Sequence, residues 1–145
     1  MSVEVQVVRE ATDEVVGAVA RLLPQLSGTA KEPDRESVTG LLRSDANTLL
    51  TARIQGQVVG MLTLITFPLP SGLRCRIEDV VVDETARGHG VGAALTAEAL
   101  RLAEAAGAGT VDLTSRPSRE AANRLYERLG FRGRDSKVYR FVVPS

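Results

Sequence analysis

The sequence predicts an α/β fold: one mixed sheet, mostly antiparallel with a single parallel crossover, and helices on both faces. Three observations predict it. Two runs rich in Leu, Ile, Val and Thr, residues 48–54 and 58–67, flank the tight-turn sequence Gln55-Gly56-Gln57, and a third run, residues 74–82, follows the break Pro68-Leu69-Pro70-Ser71-Gly72. Runs joined this closely pair antiparallel. A long amphipathic helix then separates Val82 from the strand-like residues 110–115, and a helical crossover makes its two flanking strands parallel. Finally, 145 residues of 43% hydrophobic content are enough for one core and too few for two comfortable ones, so a single domain over residues 1–145 is expected.

The elements follow in order. Val3, Val5 and Val7 alternate with Glu4 and Gln6, the period of a half-buried strand. Thr12 stands where a helix cap is needed, Asp13 and Glu14 suit the first turn, and Val15, Val19, Leu22, Leu23 and Leu26 recur at helical spacing, with Pro24 and Gly28 as stops. Residues 27–33 are polar with Gly and Pro, a loop that is either plain surface or the border of a substrate site. Val38, Leu41 and Leu42 mark one side of a short second helix. After the three-strand front, Gly88, Gly90 and Gly92 open the long helix, with Val91, Leu95, Ala99, Leu102 and Ala106 on one arc and Glu98, Arg101 and Glu104 opposite. Glycines 107 and 109 end it. Pro117 and Ser118 open a last helix that buries Ala122, Leu125 and Leu129 and stops at Gly130. Residues 131–143 are predicted as two short strands around a polar turn.

Charge and composition exclude several function classes. Lys and Arg number 18 and so do Asp and Glu, so there is no broad basic field for nucleic acid or an anionic membrane. Trp is absent and aromatics are 3%, which leaves no platform for stacking bases. Cys75 is the sole cysteine: no intrachain disulfide or thiolate metal cluster is expected, and a reducing cytoplasm suits the chain. The opening MSVEVQVVRE lacks the apolar run of a signal peptide, and no window approaches a membrane span.

The most informative stretch runs from Ile77 to Gly107. A strand containing three consecutive valines, Val80, Val81 and Val82, leads through five residues to the glycine turn. Backbone amides from His89 to Ala93, unpaired at a helix start, suit an anion such as a pyrophosphate; on glycine spacing alone a plain loop and cap is an equal reading. Walker A is excluded, since no Lys-Ser or Lys-Thr follows the glycines. Gly88, Gly90 and Ala93 match the G-x-G-x-x-A dinucleotide fingerprint and Asp112 lies about 20 residues on. The context argues against that motif: residues 83–87 intervene between strand and first glycine, Asp112 sits inside its strand, and too little chain follows for the repeated crossovers. A dinucleotide-binding module stays as the lesser alternative.

Two motifs carry a larger resemblance. V-x-V followed five residues later by R-G-x-G-x-G, residues 80–92, resembles the acetyl-CoA motif of the GNAT-superfamily N-acetyltransferases, and A-x-N-R-L-Y-x-x-L-G-F, residues 121–131, resembles that family's later helix-and-strand motif. The resemblance implies a GNAT-like fold, acetyl-CoA as co-substrate without a metal, and direct transfer to a primary amine. It implies that amides of Arg87, Gly88, His89, Gly90, Val91, Gly92 and Ala93 bind the CoA pyrophosphate, and that backbone of Val80, Val81 and Val82 pairs with the pantetheine arm. A strand bulge in the family exposes an amide near Val80 to the acetyl carbonyl oxygen, where it stabilises an oxyanion. Asn123 then reaches the pantetheine region and Tyr126 lies near the sulfur.

The chemistry assigns further roles. A primary amine of pKa about 10 is almost wholly protonated at neutral pH and needs a base before it attacks. Glu78, expected on the strand face of Val80 and Val82, is the candidate base, with substrate anchor or structural ion pair as its alternatives, while Asp79 is expected on the other side. Tyr126 is the candidate acid for the leaving thiolate, or else a buried aromatic. His89 contributes its amide only, Cys75 is an inert core residue, and Arg74 and Arg76 either hold an anionic group or are paired. The resemblance implies pairing, since family members often form dimers, and the edge of residues 131–143 makes a homodimer the expectation. I-E-D-V-V-V resembles the same strand in glucosamine-6-phosphate acetyltransferases, but the acceptor stays open among protein amines, polyamines, aminoglycosides and amino acids. A non-catalytic acetyl-CoA-binding regulatory domain is the alternative outside catalysis.

Overall fold

The computed structural model describes residues 2–145, in two compact units that divide after Thr114. The first unit contains β1 (Val3–Val7), α1 (Asp13–Leu22), α2 (Arg35–Arg43), β2 (Asn47–Ile54), β3 (Gln57–Leu69), β4 (Gly72–Val82), α3 (Val91–Ala105) and β5 (Thr110–Asp112). Its sheet runs in the order β1-β2-β3-β4-β5; the first three pairings are antiparallel and β4–β5 is parallel. This is the mixed α/β sheet that the sequence predicts. With one parallel pair it is not the doubly wound sheet of a dinucleotide-binding fold.

Local chemistry sets the element ends. Thr12 Oγ1 accepts a hydrogen bond from the Val15 amide (3.2 Å) at the start of α1. At α2, Asp34 and Ser37 form a reciprocal capping box, which the sequence reading did not single out. Between β2 and β3, Gln55 and Gly56 both have positive φ, 51° and 79°, as a two-residue hairpin turn requires. Before the Pro24 expected to end it, α1 gives way to a 3-10 turn at Leu23–Gln25.

The two faces of the sheet are covered by different helices. Val15, Ala18 and Leu22 of α1 and Val38 of α2 cluster with Leu49, Met61 and Val81 of the sheet. On the other face α3 lies so close to β3 that a Cβ on Gly60 would stand 2.7 Å from Val91 Cγ1 and 3.1 Å from Leu95 Cδ1. Glycine is therefore needed at position 60 for contact rather than for conformation. The buried arc of α3 is Val91, Leu95, Thr96, Ala99 and Ala103, turned slightly from the predicted one: Leu102 is half-buried and Ala106 exposed. Thr96 is tolerated inside because its hydroxyl donates to the Gly92 carbonyl at 2.7 Å.

The second unit holds α4 (Glu120–Arg128), closed by Gly130 at φ 105° and by a bond from the Phe131 amide to the Tyr126 carbonyl (3.0 Å). The predicted closing strands are absent: residues 131–145 form no strand. Val138, Tyr139, Phe141, Val142 and Val143 are exposed instead. Strand propensity is realised on a pleated partner surface, and two short strands alone are marginal in water.

Candidate active site

Beyond Val82 the chain makes a 3-10 turn, Glu84–Ala86, capped by Asp83, whose Oδ1 accepts from the Thr85 amide at 3.1 Å. Gly88 and Gly90 follow with φ of 83° and 79°, and the space where a Cβ would stand is open at both. Gly90 is the N-cap of α3 and supplies no side-chain cap, unlike Thr12 and Asp34 at the starts of α1 and α2. The Ala94 amide makes the bond to the Gly90 carbonyl (3.0 Å), so the amides of Val91, Gly92 and Ala93 have no partner within the helix. Open space, free donors and the positive end of a four-turn helix fit an anionic phosphate group. Arg87 and His89 are exposed beside it.

β4 itself changes character along its length. Arg74, Cys75 and Arg76 pair with Thr110, Val111 and Asp112, and there the parallel pairing ends. β5 is thus three residues long rather than the predicted six, and residues 77–82 have no strand beside them on that edge. On the β3 side the register slips: Thr63 faces Glu78 and Met61 faces Val81, so Asp79 and Val80 together oppose Leu62. Asp79 has φ 51°. This is a β-bulge, and it corrects the predicted faces. Glu78 shares a face with Val81, in the α1–α2 cluster, not with Val80 and Val82. Asp79 is turned to that same side, where it lines a cleft with Met61 and Thr63. A strict period of two cannot hold across an inserted residue.

Glu78 Oε2 accepts from Arg76 Nε at 2.6 Å, and the same guanidinium donates to Thr114 Oγ1 at 2.6 Å. Arg76 is therefore paired, and it orients Glu78. Asp79 has neither hydrogen bond nor ion pair among the described residues. The protein around its carboxyl raises its pKa, chiefly by desolvation and further by the charge of Glu78, although the residue as a whole remains exposed. The cleft, about 150 Å³, lies between α1, α2 and the sheet, and its remaining walls include Val19, Leu23, Leu41 and Leu49. Asp79 is the functional candidate that the sequence pattern missed; no signal short of the bulge marked it.

In the second unit Tyr126, rather than Ala122, Leu125 or Leu129, is the buried residue of α4. Its ring packs edge-on to Phe131, centroids 5.7 Å apart. Burial pushes the phenol pKa up, with Arg119 opposing the shift, so the hydroxyl keeps its proton well beyond neutral pH. Asn123 Nδ2 donates to the Arg116 carbonyl at 3.0 Å. Cys75 is 1% exposed, with Sγ 3.2 Å from Thr66 Oγ1, and Arg74 donates to Ser71. Among the described residues no group of three or more His, Cys, Asp or Glu gathers as a metal site, and no helix is long and apolar enough to cross a membrane.

The sequence model of the Acetyltransferase (GNAT) family matches residues 16–131. The chain belongs to the GNAT acetyltransferase family. The match takes in both motifs, the glycine turn and the Asn123–Tyr126 helix. Solved structures agree with this GNAT assignment. An acetyltransferase from Trypanosoma brucei is 26% identical, with a TM-score of 0.81 and coverage of 97% of this chain and 100% of that one. A ribosomal-protein-alanine N-acetyltransferase from Brucella melitensis biovar Abortus 2308 is also 26% identical, with the same coverage and a TM-score of 0.76. A transcriptional regulator from Bacillus halodurans C-125 is 25% identical, again with 97% and 100% coverage, at a TM-score of 0.82. A comparison with curated protein sequences finds no significant match. The family generally uses acetyl-CoA as co-substrate, and the uncapped, open start of α3 fits its pyrophosphate.

Proposed function

We propose that this GNAT acetyltransferase carries acetyl from acetyl-CoA directly to a primary amine, with both substrates bound together. The observation that carries this reading is the bulged half of β4: it has an unpaired edge, runs toward an uncapped helix start and turns two carboxylates to one face. Bound acetyl-CoA supplies an activated thioester carbonyl. Amides from Arg87 to Ala93 hold its pyrophosphate, backbone of Val80, Val81 and Val82 aligns the pantetheine arm, and Asn123 supports that arm. Glu78, held by Arg76, takes the proton that an ammonium must lose before it attacks. Tyr126, protonated at neutral pH, donates a proton at the sulfur as the thiol departs.

The test is release of free thiol from acetyl-CoA across amine classes, with Tyr126→Phe alongside. That variant keeps the ring but loses the hydroxyl, so acetyl-CoA affinity should survive while turnover falls on the order of 10²-fold. Wild-type turnover in Tyr126→Phe, with chemistry shown to be limiting, removes the acid role. The relative named a transcriptional regulator favours a second reading, an acetyl-CoA-binding regulatory domain; saturable acetyl-CoA binding with no thiol release for any amine supports it. For assembly we propose a homodimer that covers the exposed apolar residues Val138, Tyr139, Phe141, Val142 and Val143, and a monomer mass by light scattering at micromolar concentration counts against it.

A further inference from the structure

We propose that the acceptor is a monoamine bearing one compact apolar group, whose ammonium is held by Asp79 while the apolar group fills the cleft between α1, α2 and the sheet. This inference rests on the acetyl-transfer reading and names the substrate class it serves.

Size comes first. The cleft measures about 150 Å³, the scale of a cavity that takes up a benzene-sized molecule. Val19, Leu23, Leu41 and Met61 make its walls hydrocarbon, with Thr63 beside the floor. Ser37 also lines it, but the Ser37 hydroxyl is already used in the capping box, donating to the Asp34 carbonyl and accepting from the Asp34 amide, both at 3.0 Å. A polyhydroxylated amine would give up its hydration here and find few partners.

Charge comes second. No cationic side chain lines the cleft. Of the two carboxylates at the bulge, Glu78 is ion-paired with Arg76 at 2.6 Å, whereas Asp79 has no ion pair or hydrogen bond among the described residues. One unbalanced negative charge matches one ammonium. A polyamine or aminoglycoside would bring several charges to a site that balances one.

Backbone geometry comes third. Asp79 holds φ 51° in a strand, a conformation that costs a non-glycine residue energy and that Asp and Asn tolerate best. Strain and an unpaired carboxylate meet at one residue, and an arriving ammonium would give that exposed carboxylate the charge partner it lacks. Asn accepts the same backbone, so Asp79→Asn removes the charge without moving the bulge.

The experiment titrates phenethylamine, isoamylamine, spermidine and kanamycin into the 145-residue chain by calorimetry with CoA present, and reads thiol release from acetyl-CoA with the same amines. The proposal expects phenethylamine and isoamylamine to bind at least tenfold tighter than the other two. Asp79→Asn should weaken them tenfold or more with acetyl-CoA affinity unchanged. Leu23→Phe, which narrows the cleft, should penalise phenethylamine more than isoamylamine. Equal binding of phenethylamine to wild type and Asp79→Asn overturns the proposal. So does preferential acetylation of spermidine or kanamycin, which leaves acetyl transfer itself standing. Selective, Asp79-dependent binding of the apolar amines with no thiol release supports the recognition inference and counts against the transfer reading.

Discussion

The two faces of the sheet answer to different demands. Under α3, Leu50, Ala52, Leu62 and Leu95 are fully buried and Gly60 leaves no room even for a methyl group. Under α1 and α2, the sheet carries Thr63 and Asp79 beside an apolar cleft, with Glu78 on the same face, and β4 breaks its register at Asp79. Close packing is kept on one face, while the other keeps a hollow beside an exposed, unpaired carboxylate. The comparison teaches that stability and chemistry are separated across one layer of backbone, so substitutions on opposite faces should fail in different ways.

The largest effect should come from the closed face. Leu95 is 0% exposed, and Leu95→Ala should cost about 2–5 kcal/mol in urea unfolding. Gly60→Val, which pushes into Val91 and Leu95, should cost about 1–3 kcal/mol or more by overpacking. Leu41→Ala, on the wall of an existing cleft, should cost only about 1 kcal/mol. If Leu41→Ala proves as damaging as Leu95→Ala, the contrast between faces fails.

Next is Glu78→Gln. It should leave the urea midpoint almost unmoved and lower turnover by roughly 10²-fold at neutral pH, about 2.7 kcal/mol of barrier. Activity should recover in part as pH rises, because more of the amine is then already deprotonated. A raised KM with kcat unchanged would instead make Glu78 a substrate anchor.

A smaller effect tests the turn that both readings of the glycines share. Gly90 sits at φ 79°, so Gly90→Val combines about 1–2 kcal/mol of backbone strain with a side chain in the open space beside the free amides. Calorimetry should show weaker CoA binding, and unchanged affinity would separate the turn from the site.

The smallest effect is on stability and has the opposite sign. Asp79 binds its proton more tightly folded than unfolded, since its pKa is raised. Native stability therefore falls as pH rises from the ordinary Asp range through the folded pKa, and at neutral pH the ionised carboxylate is a burden. Asp79→Asn should raise Tm slightly at pH 7, with the gain fading as pH falls from the raised folded pKa to the ordinary Asp value. A loss of Tm at pH 7 would mean that Asp79 is structurally paired.

Much of this molecule was legible in its residues. Alternating valines gave β1, Thr12 and the acidic first turn gave α1, Gln55-Gly56 gave the hairpin, and the glycines followed by a 3.6-residue period gave α3 with its free amides. These are local properties: propensity, capping and periodicity act within a few residues and need no partner. Tertiary structure decided the rest. The bulge at Asp79 is a property of how β4 pairs with β3, and no count along residues 74–82 reveals the slipped register. Thus Glu78 lost its predicted neighbours Val80 and Val82, and Asp79 joined its face. Likewise residues 131–143 carry strand-like residues but form no strand, because a strand is defined by the partner that takes its hydrogen bonds and not by its own sequence.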